Sequence, residues 1–384
     1  MTAVFINFWY PVIEGSELGD EPLQVTMLGC DFVLFRDEHG KARCLANTCM
    51  HRGGSLGHGV VRDGCIQCPY HGWQYNGDGR CVRIPSIGRD GKIPARAKVD
   101  SYPVEERYGL VFAFLGDLPE KERPPIQTIV EWDQDDWRPT MVGWEFDANM
   151  ERAVENSMDP AHNEFVHPTH GFQGEREDYR VPDMEIVEEE LGAYFRIVMY
   201  SPAGEKGTLK EFKREAGSVE AYSGHRGPNQ LWNRLHLTDE YWLHQYQFSV
   251  PVDTGRTRFW HINMRNSWLD PKVDERMDER NRATAEQDQI VLKRLRPVVP
   301  PLGTSQELLM PSDEPVRQYR RYLAGWEAKG WRIDVERMRE MQKTTTVTIP
   351  SPGRRDAGNW VLNTVPLVAP HEIPAGSSSA SGAQ

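Results

Sequence analysis

The segments "CMHRG" (49–53) and "CPYHGW" (68–73) restrict this chain more than any other feature. Each sets one cysteine and one histidine at chelating distance, beside a glycine that lets the backbone turn tightly. The second begins nineteen residues after the first, so two loops of one small fold must meet. One thiolate and one imidazole per loop suit a [2Fe–2S] centre with two cysteines on one iron and two histidines on the other. A four-cysteine zinc knuckle of Cys44, Cys49, Cys65 and Cys68 is the competing reading, and it leaves His51 and His71 without a role.

From Phe5 to Gly116, short strand-like runs alternate with turns at His39-Gly40 and Asn76-Gly77, which predicts a small all-β domain. At "DLPEKERPPI" (117–126) charge and proline replace the strands, and the expected boundary falls there. The expected division is 1–116, then 117–350, then a C-terminal extension 351–384 whose last ten residues read as disordered. In the second domain "MEIVEEE", "AYFRIVMYS", "NQLWNRLHL", "YWLHQYQFSVPV" and "TRFWHINMR" predict one antiparallel sheet. Helices follow from Val273 until Pro297 breaks them, from Asp313 to Gly325, and from Asp334 to Lys343. The fold class is therefore α+β.

A formal charge of -12 argues against nucleic acid as partner. Apolar runs such as "GLVFAFLG" are strand-sized and too short for a membrane span, and no basic residue precedes Arg36. A soluble, cytoplasmic protein is expected.

A second histidine cluster lies in "VENSMDPAHNEFVHPTHGF" (154–172). Pro160 fits the first turn of a helix capped by Asp159, or else kinks a helix that runs through. His162 and His167 would stand about 140° apart on a straight helix. A bend, or a helix ending before Pro168, brings both imidazoles to one point. Asp288 supplies a third donor, in a stripe with Val291, Leu292 and Leu295. A carboxylate on an apolar face is costly unless something binds it; a salt bridge to Arg294 or Arg296 is the bland alternative. Two histidines and one carboxylate make the facial triad of non-haem iron oxygenases. His170 reads equally as a supporting donor or as an exposed side chain.

The first pair of loops resembles the iron–sulfur domain of the Rieske family. E-N-x-x-D-P-x-H-x4-H, from Glu155 to His167, with Glu286, Asp288 and Leu292, is similar to the second motif of Rieske non-haem iron oxygenases. The likeness is to the terminal oxygenase component, of the phthalate and carbazole type with a single kind of subunit, and it spans Phe5 to about Leu295. It implies that Cys49 and Cys68 hold one iron of the cluster and His51 and His71 the other. It also implies that His162, His167 and Asp288 hold a mononuclear Fe(II). Asp159 becomes an electron relay between His162 and His71 of the partner subunit, in a homotrimer. The implied catalytic domain is an antiparallel sheet wrapped on a long helix, the helix-grip arrangement. Gly54 and Tyr70 stand in the loops where the high-potential members have an additional cysteine pair. Cys30, Cys44, Cys65 and Cys81 then read as small buried hydrophobes.

The activity implied is O2-dependent hydroxylation or dihydroxylation of a hydrophobic aromatic or polycyclic substrate. Electrons would come from NAD(P)H through a separate flavin reductase or ferredoxin, since the chain has no G-x-G-x-x-G fingerprint. O- or N-demethylation is the close alternative. An iron–sulfur electron carrier or redox sensor is the alternative of another class.

Overall fold

Short alternating segments joined by glycine turns fold the N-terminal part into three antiparallel sheets in the computed structural model, which describes residues 4–170, 174–201, 217–301 and 306–372. Leu23–Met27, Cys30–Arg36, Ala42–Ala46 and Ser101–Tyr102 form one sheet, with Gly40 in the left-handed region at the expected hairpin turn. Phe8–Glu14, Leu110–Leu115 and Val104–Arg107 form a second. The third contains Val60–Arg62, Cys65–Gln67, Gln74–Tyr75 and Cys81–Arg83. At the turn expected on Asn76-Gly77, it is Gly79 that takes the positive φ, of 76°. A Cβ there would lie 2.2 Å from the Val99 carbonyl oxygen.

The chain divides into two compact units, and the division departs from the expected one. The first runs from the described N-terminus to Ile126 and takes back Lys329–His371; the second is Gln127–Ala328. Polar anchoring explains the return. Asp100 is fully buried, and the Arg354 guanidinium donates to it twice at 2.7 Å. Thr348 and Ser351 hydroxyls donate to the same carboxylate at 2.8 and 2.7 Å. The residues expected to form a C-terminal extension thus belong, as far as His371, to the first unit. The expected disorder of the last ten residues lies outside the described residues.

In the second unit seven antiparallel strands line up as Arg138–Phe146, Thr257–Arg265, Trp242–Pro251, Gln230–His236, Gly217–Arg226, Gly192–Ser201 and Glu185–Glu189. Five match the expected runs. Arg138–Phe146 was hidden by Pro139 and Gly143, which a strand tolerates here because it lies at the sheet edge. Gly217–Arg226 was hidden by two glycines and two serines that dilute its apolar alternation.

The helix Asp274–Leu292 packs against this sheet, with Ala285 and Leu292 in a core with Phe146, Ala153 and Phe259. Its buried stripe is Met277, Asn281, Ala285 and Leu292. Val291, expected on the stripe, is 38% exposed, because it projects beside the stripe rather than on it. Met150–Ser157 is capped by the Asn149 side chain, which accepts from the Glu151 N–H at 3.1 Å. Glu314–Ala328 completes the unit, its buried Arg320 donating to both oxygens of Glu155 at 2.6 and 2.9 Å. Among the described residues no helix is long and apolar enough to cross a membrane.

Candidate metal centres and substrate cavity

The two cysteine–histidine loops are built alike. In the first, the Cys49 N–H donates to the Gly54 carbonyl at 2.8 Å and the Gly53 N–H to the Cys49 carbonyl at 3.0 Å. In the second, the Cys68 N–H donates to Trp73 at 2.8 Å and the Gly72 N–H to Cys68 at 3.0 Å. Gly53 and Gly72 both need positive φ, 73° and 69°, which explains the glycine after each histidine motif. Each loop thereby aims its cysteine inward and its histidine outward. Cys49 and Cys68 are 1% exposed, in a core with Leu45, Leu56, Ile66 and Tyr75. His51 is exposed and His71 half-buried, with ring centroids 4.5 Å apart, and His51 stacks on Trp73 at 4.6 Å.

These residues fit a [2Fe–2S] centre. Burial pushes the Cys49 thiol up to about 11, against the Tyr75 hydroxyl 3.1 Å from its sulfur. Such a thiol becomes a thiolate when a metal takes the proton's place. Around the sulfurs space is tight: a Cβ on Gly54 would lie 2.8 Å from Cys68 Sγ. All six cysteines are free, so the zinc-knuckle set has no covalent competitor, yet that set still gives the two facing imidazoles nothing to do. Cys30, Cys44 and Cys81 are buried as expected; Cys65 is half-buried.

The second cluster lies in the second unit. Met150–Ser157 ends before Asp159, and a one-turn helix, Asn163–Val166, begins after His162. Asp159 therefore does not cap a helix started by Pro160. Its Oδ1 instead accepts from the Ala161 N–H at 2.7 Å, closing a turn that Pro160 fits. His167 follows the short helix with φ −113° and ψ 73°, outside helical geometry, and this break before Pro168 swings its ring toward His162.

The Nε2 atoms of His162 and His167 approach to 3.1 Å. Asp288 Oδ1 lies 3.7 Å from the first and 3.2 Å from the second. Among the described residues, these three form the group whose donor atoms could hold one metal ion, all within 4.8 Å of one another.

Supporting contacts set the tautomers. His162 Nδ1 is 2.5 Å from the Asp159 carbonyl, which can only accept, so that nitrogen carries the proton. His167 Nδ1 lies 3.0 Å from Gln287 Oε1, and the Asn156 amide donates to Asp288 Oδ1 at 2.9 Å. With both Nδ1 positions turned to acceptors, the two Nε2 atoms point at one place, where a metal ion would take both lone pairs. Burial lowers the His162 pKa and the neighbouring Asp288 charge works against it. Burial acts on His167 too, but the Asp288 hydrogen bond and charge outweigh it and the net shift is upward. For Asp159 burial raises the pKa, opposed by the His162 charge.

His170 lies next to the triad, its ring 4.8 Å from that of His167, and it lines the adjoining cavity without joining the three donors. Burial first, then the Arg280 charge, holds it well below the usual histidine range, so it is neutral. The cavity measures about 250 Å3, between the sheet and the long helix, with Phe146, Phe195, Ile197 and Leu235 among its apolar walls.

Sequence reasoning did not single out Gln287, Asn156 or Tyr75. Asn156 stood within the E-N-x-x-D-P motif and Gln287 immediately before Asp288, so adjacency to a candidate donor was their available signal. Tyr75 had none, being placed by a strand pairing with Ile66.

Two regions of the chain match known families. Residues 8–103 match the family described as Rieske [2Fe-2S] domain, and residues 146–329 match the vanillate O-demethylase oxygenase C-terminal domain. The protein TIC 55, chloroplastic, of Arabidopsis thaliana is 33% identical over 47% of this chain and 34% of its own length. The phenoxybenzoate dioxygenase subunit alpha of Ectopseudomonas oleovorans is 43% identical over 33% of this chain and 31% of its own. The chain thus spans about a third of these relatives. The structure of Pseudomonas putida CBB5 NdmA with caffeine superposes with a TM-score of 0.72 at 25% identity, covering 84% of this chain and 90% of that one.

Proposed function

The chain belongs to the Rieske non-haem iron oxygenases, and on that footing we propose that it is a terminal oxygenase component acting on a hydrophobic aromatic or polycyclic substrate. The observation that carries the reading is the convergence of His162, His167 and Asp288 at one end of a mainly apolar cavity. Cys49, Cys68, His51 and His71 would hold the cluster, and His162, His167 and Asp288 the mononuclear iron. When bound, the two centres supply single electrons and a place where O2 is reduced.

The chain's own residues do the rest. The Asp159 carbonyl and Gln287 hold the two imidazoles in the tautomer that leaves Nε2 free, and Asn156 orients the Asp288 carboxylate. The apolar side chains Phe146, Phe195, Ile197 and Leu235 would hold a flat ring against the donors. Asp159 lies beside His162, with Oδ2 3.8 Å from its Nδ1, and in a homotrimer it would relay charge from His71 of the partner subunit. NAD(P)H would act through a separate flavin reductase or ferredoxin, in the cytoplasm.

Product analysis tests the reading: the purified protein, a surrogate reductase and NAD(P)H are offered a panel of aromatic and steroid compounds. Oxygenated product formed at the expense of O2 is expected; electron transfer without product would point to a carrier or sensor. O- or N-demethylation is the second reading, favoured by the family match over residues 146–329. Formaldehyde release from methoxy- or N-methyl-bearing members of the panel would establish it.

A further inference from the structure

The cavity is lined by charged groups of both signs. Asp159 and Asp288 are the carboxylates among its described lining residues, and both stand at the donor end. Arg280 lines the cavity from the same long helix as Asp288, eight residues earlier, hence about 12 Å along the axis at 1.5 Å per residue. No hydrogen bond or ion pair to its guanidinium occurs among the described residues, and its Nε is sealed from solvent without a partner. Burial alone draws its pKa down to about 10, with no carboxylate to offset the loss, so it remains a cation at neutral pH.

Two further donors among the cavity's lining residues are unsatisfied. His261, on the strand Thr257–Arg265, has an unpaired Nε2, and Asn281 has an unpaired Nδ2. Burial, then the Arg280 charge, pulls the His261 pKa down to about 4, so the ring is neutral and offers one N–H. Both residues line the cavity. Gln245, Asn233 and Ser223 face one another across three neighbouring strands and continue the polar strip across the sheet. An orphan guanidinium with orphan amide and imidazole groups is costly in a low-dielectric pocket unless an anion joins it. A single cation with no second one beside it matches one negative charge, and the planar guanidinium fork matches a carboxylate.

We propose that the molecule this cavity takes carries a carboxylate, received by Arg280 with His261 and Asn281 as further donors, while its apolar body extends toward His162, His167 and Asp288. The inference rests on reading the cavity as the substrate site, and it sets the acidic group at Arg280. Arg280 is thereby a specificity-determining residue.

Binding tests it without requiring turnover. The intact, metal-loaded protein is titrated with benzoate, 2-naphthoate and biphenyl-4-carboxylate, each beside its neutral carboxamide, with Trp144 in the cavity wall as the fluorescent reporter and calorimetry as the check. At least one acid should bind tenfold or more tightly than its amide. Arg280→Gln should shrink that preference to within twofold, and Arg280→Lys should retain part of it. Amides binding as tightly as the acids in the parent protein, or no acid binding at millimolar concentration, overturns the proposal even if the variants fail to fold. A preference that survives Arg280→Gln overturns it too. Acid-selective binding without O2-dependent turnover would uphold the anion pocket and sink the oxygenase reading. Oxygenation of neutral compounds with no acid preference would do the reverse.

Discussion

Single atoms decide what the two centres can hold. A methyl group at position 54 would press to 2.8 Å of Cys68 Sγ and 3.4 Å of the Tyr70 Cβ. Gly54→Ala should therefore weaken cluster binding by about tenfold or more, as loss of a supporting contact does at other metal sites, read as lost visible absorption per protein. Asp288→Ala should empty the mononuclear site while the cluster colour persists; metal analysis that finds all the iron still in place would refute the assignment. Asp159→Asn keeps the size and the Oδ1 acceptor while removing the charge and turning the other oxygen into a donor amide, so it should keep both metals yet bring product formation to background. Undiminished turnover would mean that Asp159 serves the turn through Ala161 and nothing more. The cluster donors and the two histidines were legible in the sequence because each motif keeps its ligands a few residues apart, whereas Asp288 showed only as a carboxylate on an apolar helix stripe. Gln287, Asn156 and Arg280 were not legible, because their importance depends on what faces them.

At the scale of elements, the long helix is held at its start by charge. Asp274 sits in its first turn, where the helix dipole favours an anion, and it accepts from Arg138 Nε at 2.8 Å while also pairing with Arg265. Arg265 is 1% exposed, so Asp274→Asn leaves a buried guanidinium without its counter-charge and should cost about 3 kcal/mol in chemical denaturation. The Arg138 hydrogen bond, followed by the bond and charge of Arg265, holds the Asp274 pKa below its usual value. Because the folded-state pKa is depressed, the stabilisation is complete above the ordinary aspartate pKa of about 4 and is lost as pH falls through the folded value. The stability gap between parent and variant should stay flat from about pH 5 to 8 and close below about pH 4. A gap that instead widens on acidification would contradict this account. The helix itself was readable from its polar and apolar spacing, but its stripe was misjudged by one residue at Val291, since sequence periodicity does not say where the partner sheet lies.

At the scale of the whole molecule, the return of Lys329–His371 to the first unit makes that unit depend on distant sequence. A chain ending after Ala328 would leave the buried Asp100 carboxylate without Arg354, Thr348 and Ser351. Loss of cluster colour and a transition lowered by about 10 °C or more in thermal unfolding are expected, since a buried charge loses all its partners. Unchanged melting would show that the return is ornamental. The proposed relay between subunits has its own assay. Chains carrying Cys68→Ser, which should lack the cluster, are mixed during refolding or co-expression with chains carrying Asp288→Ala. Turnover regained by the mixture, when neither variant acts alone, supports transfer between chains; a dead mixture places both centres in the service of a single chain.

By itself the sequence determined what is local: two chelating loops with their positive-φ glycines, the histidine pair around Pro160 and Pro168, most of the strands, and the α+β class. These follow from covalent spacing, turn chemistry and side-chain alternation, which act over a few residues. The tertiary structure decided that the C-terminal residues rejoin the first unit, that Asp288 meets His162 and His167 across more than a hundred residues, and that Arg280 is left unpaired. Whether a buried charge has a partner is a property of everything packed around it, and no stretch of sequence contains that information.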